Sequence, residues 1–324
     1  MKLILSKTNI SQFSSFMILQ GINLGAALLR LPLISSHSNV ETLVCFLLWS
    51  GVLPVAQLIS LGQVNRARIN YILGKVYKFQ PDVLKVMIGG AIMVLFLILG
   101  GLVEPLSEML LFLPGVCTFL SVLVVSSRLA NYFGQAQAKN MSPRLNYISA
   151  ASAVISLGLT WVSYYFGLGN TSSYVQVSVL LLLTLTSTVT SYLAAYVIQR
   201  KDALVGMKVV FESSSKFPNI PKIKQEISEL LFTLPPILFT ATDLFFLSIV
   251  SNPNQLIQYA FYSRCAVVSS ILPAALYLPI SNQLTAPSDD TSKVDLVIMV
   301  RLILLNLPFM AVFVAASPQL SSFL

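Results

Sequence analysis

Apolar and polar positions fall into blocks too long for a soluble fold. Predominantly apolar stretches recur at 12–34, 42–61, 84–103, 110–130, 146–166, 174–199, 230–250, 257–280 and 295–316. Each is long enough to cross about 30 Å of hydrocarbon as a helix. The pattern predicts an all-α, polytopic transmembrane helical bundle of about nine helices. The links at 35–41, 104–109, 167–173 and 251–256 contain no Lys or Arg. The intervening links hold Arg66, Arg68, Lys75 and Lys78, then Lys139 and Arg144, then Arg200, Lys201, Lys208, Lys216, Lys222 and Lys224. That alternation is the positive-inside pattern, and it places the N-terminus in the cytoplasm.

Composition narrows the class further. Of 324 residues, 56% are hydrophobic and 10% charged, and the mean hydropathy is +0.80. A formal charge of +8 would suit nucleic acid, but the cations cluster in the links on one side, beside headgroups of the inner leaflet. Nucleic acid is therefore not expected as a partner, whereas membrane lipids are. Cys45, Cys117 and Cys265 lie singly in apolar runs and His37 is the sole histidine, so neither a metal site nor a histidine triad is expected. No GxxxxGK[ST] loop is present, which disfavours ATP-driven work by this chain alone. No cofactor is expected.

The polar positions inside the apolar blocks are the candidates for function, because a charge at that depth costs several kcal/mol and marks a partner or a wet path. Asp243 lies within 230–250, Arg264 within 257–280 and Arg301 within 295–316. Thr233, Pro236, Thr240 and Asp243 share one helical face, and Tyr259, Ser263, Ser270 and Tyr277 form a second polar stripe beside Arg264. A purely structural Asp243–Arg264 pair fits the same residues. In the first stretch Gln20, Asn23, Ala27 and Arg30 share a face. Arg30 either lines a cavity or snorkels to headgroups. Gly21 and Gly25 have the spacing of a close helix contact. Ser149, Ser152, Ser156, Thr160 and Ser163 recur every three to four positions, as small hydroxyl residues that join helices do.

The text Thr242-Asp243, a short link, then Tyr259, Tyr262-Ser263-Arg264 and Pro279, resembles the seventh and eighth helices of bacterial polysaccharide-export (O-antigen type) flippases. These belong to the multidrug/oligosaccharidyl-lipid/polysaccharide exporter superfamily. Pro32-Leu33, a short loop, a second helix and Leu61-Gly62 before a basic loop resemble the N-terminal part of the same family. The resemblance implies an N-terminal six-helix transmembrane lobe over 1–200, a cytoplasmic inter-lobe link over 201–228 and a C-terminal lobe over 229–324. Only about three helices of that second lobe are expected here, where paired six-helix repeats would give six. A truncated gene product, a fragment and a natural short form all fit that expectation.

The implied activity is not enzymatic. It is the flipping of a polyprenyl-pyrophosphate-linked oligosaccharide, an O-antigen or capsule repeat unit, across the bacterial cytoplasmic (inner) membrane by alternating access. Arginine suits such cargo because its guanidinium grips phosphate oxygens in a fork. The expected substrate-binding residues are Gln20, Asn23, Arg30, Asp243, Tyr259, Arg264 and Arg301. No catalytic residue is expected. A proton or sodium ion could drive the cycle through Asp243, and the glycan polymerase or ligase machinery is an implied partner. Two alternatives stand beside this reading: a cation-coupled exporter of drugs or metabolites from the same superfamily, and an inactive remnant.

Overall fold

The computed structural model describes residues 7–74, 90, 106–139, 141–206, 255, 258, 259, 262 and 263. Among these residues the architecture is all helical. Five long helices are joined in chain order: α1 (Lys7–His37), α2 (Val40–Ile72), α3 (Leu106–Ala138), α4 (Ser142–Tyr165) and α5 (Ser173–Gly206), with one 3-10 turn at Leu168–Asn170. All five are long and apolar enough to cross a membrane, so the chain is a membrane-embedded helical protein. Of the expected spans at 84–103, 230–250, 257–280 and 295–316, only residues 90, 258, 259, 262 and 263 are described. The expected link at 201–228 begins as helix, since α5 runs on to Gly206, and its remainder and most of the expected second lobe lie outside the described residues.

The helices outrun the apolar stretches that announce them. α2 continues to Ile72, eleven residues past the end of its apolar run, and carries Arg66 and Arg68 within it. Both had been expected in a loop. A helix satisfies its own backbone hydrogen bonds, so it need not stop where the hydrocarbon stops. Arg68 is 2% exposed and sits inside the bundle rather than on a surface link.

α2 and α3 form the tightest pair and α5 packs on both, while α4 bridges α5 to α1. Phe46, Trp49, Leu53 and Ala56 of α2 meet Phe119, Val122 and Leu123 of α3 and Leu180 and Leu181 of α5 in one buried apolar cluster. Two glycines of α3 permit the approach. A Cβ at Gly115 would overlap the Trp49 indole, and one at Gly134 would overlap the Val64 carbonyl of α2. The glycines expected to mediate packing, Gly21 and Gly25, have open space around them. Small residues allow close packing but do not enforce it.

α1 takes another course. It lies along α4 and meets α2 only near the turn they share. At that turn Asn39 caps α2, its Oδ1 accepting from Thr42 N at 2.9 Å. Its Nδ2 donates to Ser173 Oγ at 2.6 Å. Ser38 Oγ and Tyr164 OH share a hydrogen bond at 2.6 Å, and Gly169 packs so close to the His37 carbonyl that a Cβ would stand 2.6 Å from it. The α1–α2 and α4–α5 turns are thereby clasped at one end of the bundle. The other end carries the cations Arg66, Arg68, Arg128, Lys139, Arg144 and Arg200.

Candidate functional site

Arg30 stands two turns below that clasp and is only 9% exposed. Its Nη2 donates to Ser156 Oγ of α4 at 2.9 Å. Its Nη1 reaches Thr184 Oγ1 of α5 at 3.5 Å, the limit of a hydrogen bond. Both hydroxyls spend their own protons on carbonyls, Ser156 on Leu183 O at 2.7 Å and Thr184 on Leu180 O at 2.9 Å. Each oxygen is thus turned to the guanidinium as an acceptor. The side chain is inside the bundle, away from the headgroup position that snorkelling requires.

Among the described residues, what surrounds this cation is neutral. The acidic residues of the described helices are Glu41 in the first turn of α2, Glu108 near the start of α3 and Asp202 near the end of α5, all at helix ends. A guanidinium carries five N–H donors, and the hydroxyls engage two of them. Nε is buried without a hydrogen-bond partner among the described residues. An arginine held this way keeps donor capacity for an anion and meets no carboxylate among the described residues.

Gln20 and Asn23 continue down the same side of α1, about two to three turns below Arg30. Gln20 is half-buried and Asn23 exposed, which fits the divergence of α1 from α2. Gln57 of α2 donates from Nε2 to the Thr188 carbonyl of α5 at 3.4 Å. Ser187 and Thr188 lie one turn below Thr184 on α5. The structure thus brings Arg30 together with Ser156 and Thr184, while Gln20 and Asn23 stand two to three turns further down α1 and join no contact with them among the described residues.

Tyr259 is half-buried, and its neighbour Tyr262 packs against the large apolar cluster of α1, α2, α3 and α5. Asp243, Arg264 and Arg301 lie outside the described residues. Sequence reasoning missed Thr184 and Arg68. Thr184 was lost in a crowd of hydroxyls on α5, and Arg68 was read as part of a link. Ser156 carried a signal, since it sits in the hydroxyl stripe of α4. That stripe joins helices in the structure: besides Ser156, Ser152 Oγ shares a hydrogen bond with Thr190 Oγ1 at 3.0 Å, and Thr160 is fully buried. No cluster of His, Cys, Asp and Glu able to hold a metal occurs among the described residues.

No family model, curated protein or solved structure matches the chain.

Proposed function

We propose that this protein is a transporter of the polysaccharide-export flippase type, moving a polyprenyl-pyrophosphate-linked oligosaccharide across a bacterial cytoplasmic membrane. The observation that carries the reading is Arg30, a cation held inside an apolar bundle by two neutral hydroxyls. Keeping a charge at that depth is costly, so the residue is best explained by an anion that visits it. A pyrophosphate meets that need, and hydroxyls and amides such as Ser187, Gln20 and Asn23 suit a sugar passing alongside. The likeness of the 242–279 text to the family supports the same cargo. Asp243, Tyr259, Arg264 and Arg301 are the proposed contributions of the second lobe, with Asp243 as the coupling-ion residue.

In this reading the N-terminus is cytoplasmic and the basic end of the bundle faces the inner leaflet, in accord with the distribution of Lys and Arg. A drug-cation exporter is less well supported, because the acids of the described helices are confined to helix ends. The test is complementation of a bacterial strain that lacks its own O-antigen flippase, with surface glycan read by an impermeant lectin. Restored display that disappears with Arg30→Ala at equal membrane abundance is the expected result. Normal display by the Arg30→Ala protein would overturn the assignment.

A further inference from the structure

The outward faces of α3 and α5 are apolar for most of their length and then become cationic. On α3, Leu113, Cys117, Leu120 and Val124 are exposed at helical spacing, as a face turned to lipid should be. The next position on that stripe is Arg128, also exposed, followed one turn later by Tyr132. On α5, Leu182, Leu193 and Val197 are exposed, and the same side ends at exposed Arg200.

The two helices pack together and run in the same direction, so Tyr132 and Tyr196 meet at one level. Their rings stand edge to face, 5.0 Å apart at 86°. Arg200 donates from Nη1 to Tyr196 OH at 3.3 Å and lies 5.9 Å from the centre of that ring. Arg128 sits one turn to one side of the tyrosine pair and Arg200 one turn to the other. Tyrosines at the end of an apolar face mark headgroup depth.

Neither arginine is neutralised among the described residues. Arg128 makes no hydrogen bond or ion pair among the described residues, and Glu108 of its own helix is about 30 Å away along the axis. Arg200 makes no ion pair among the described residues, its contacts there being those with Tyr196. Two exposed guanidinium groups therefore flank the level of the tyrosine pair, where the apolar stripes of the two helices end.

We propose that Arg128, Arg200 and Tyr196 form a seat for the phosphate of an acidic phospholipid, its acyl chain lying along Val124, Leu193 and Val197. Guanidinium and phenol hydroxyl are both donors to phosphate oxygens. A zwitterionic headgroup brings an ammonium to a place that already holds two cations, so the seat prefers a lipid of net negative charge. A free phosphate makes no use of the apolar stripe. The inference rests on membrane embedding and not on the proposed transport activity.

The test uses the full chain purified in detergent, with native mass spectrometry counting the lipid retained after addition of phosphatidylglycerol or phosphatidylcholine. Phosphatidylglycerol is retained in preference, and Arg128→Gln and Arg200→Gln each lower its affinity about fivefold, as expected for one arginine near an anionic headgroup. Tyr196→Phe, which keeps the ring pair, gives a smaller loss. Arg144→Gln removes an exposed arginine from the same end of the bundle, on α4, and leaves retention unchanged. Circular dichroism on each variant checks that the helices persist. Equal retention of the two lipids, an equal loss from Arg144→Gln, or displacement of phosphatidylglycerol by inorganic phosphate overturns the proposal.

Discussion

α2 with α3 and α1 with α4 are both pairs of membrane helices, but they are held together by different physics. α2 and α3 close sterically: Gly115 lies beneath Trp49 and Gly134 against the Val64 carbonyl, with Phe46 and Phe119 both 1% exposed or less. α1 and α4 are joined by polar contacts at three levels: Asn146 Nδ2 to Ser15 Oγ at 3.1 Å, Arg30 to Ser156 and Ser38 with Tyr164. In lipid, apolar contact gains little from hydrophobicity, so shape complementarity fixes the first pair. Hydrogen bonds fix the second, and a hydrogen bond can change partner where a packed ring cannot. The candidate site lies in the exchangeable pair and is braced by the rigid one.

The sharpest way to break this contrast is to add one carbon to the steric pair. Gly134→Ala is expected to lower the amount of folded protein severely, because its Cβ meets a backbone carbonyl that cannot rotate away. Overpacking costs about 1–3 kcal/mol, and a backbone clash belongs at the upper end. Gly115→Ala should be harmful too, yet rescued by Trp49→Leu, since there the obstacle is a side chain. Size-exclusion profiles and thermal melts of the detergent-solubilised variants read both effects. Wild-type stability in Gly134→Ala would show that the α2–α3 contact is looser than described.

Arg30 sharpens the other half of the comparison. A lone buried charge carries its own desolvation cost, and its removal offsets the two hydrogen bonds lost, so Arg30→Met should abolish the proposed glycan export without lowering the melting temperature. Arg30→Lys should lose most of the activity, because lysine cannot reproduce the planar fork. If Arg30→Met instead unfolds the protein, the arginine is architectural and the α1–α4 contact is no more exchangeable than α2–α3.

The same division explains what could be read from the sequence. The five helices were legible because each hydrocarbon crossing needs a long apolar block, and no soluble fold shares that signature. Their ends were not, because Arg66 and Arg68 look like loop residues until the helix is seen to run through them. Arg30 stood out as a charge among apolar neighbours, but its partners did not. Ser156 and Thr184 lie 126 and 154 residues away, among many hydroxyls with equal claims. Close packing misled in the opposite direction: the paired glycines Gly21 and Gly25 face open space, while the unpaired Gly115 and Gly134 carry the contact. Spacing within one helix says nothing of what the facing helix offers.

A smaller effect is expected at the clasp. Tyr164→Phe removes the hydroxyl that meets Ser38 and leaves the ring beside His37, 5.7 Å between centroids. One net hydrogen bond is worth about 1 kcal/mol, so the melting temperature should fall modestly and Ser38→Ala should add almost nothing on top. Full additivity of the two changes would mean that the residues do not act as a pair.

The smallest expected effect is the most direct measure of how exchangeable the polar contacts are. Ser152 and Thr190 share a hydrogen bond between α4 and α5, but Thr190 Oγ1 also donates to the Thr186 carbonyl within its own helix. Each hydroxyl thus retains or can find a partner when the other is removed. Interhelical bonds of this kind contribute about 0.6 kcal/mol on average, because separated helices in a membrane also satisfy their polar groups. A double-mutant cycle with Ser152→Ala and Thr190→Ala should accordingly give a coupling energy below about 1 kcal/mol. Gly115→Ala with Trp49→Leu should give a larger coupling, of opposite sign, since the second change relieves a clash created by the first. The steric cycle marks a contact with one solution and the hydroxyl cycle a contact with several. A coupling above about 2 kcal/mol at Ser152–Thr190, beyond the range known for such bonds, would erase that distinction. The helices around Arg30 would then be locked as firmly as α2 and α3, and the proposed substrate route would have to lie elsewhere in the bundle.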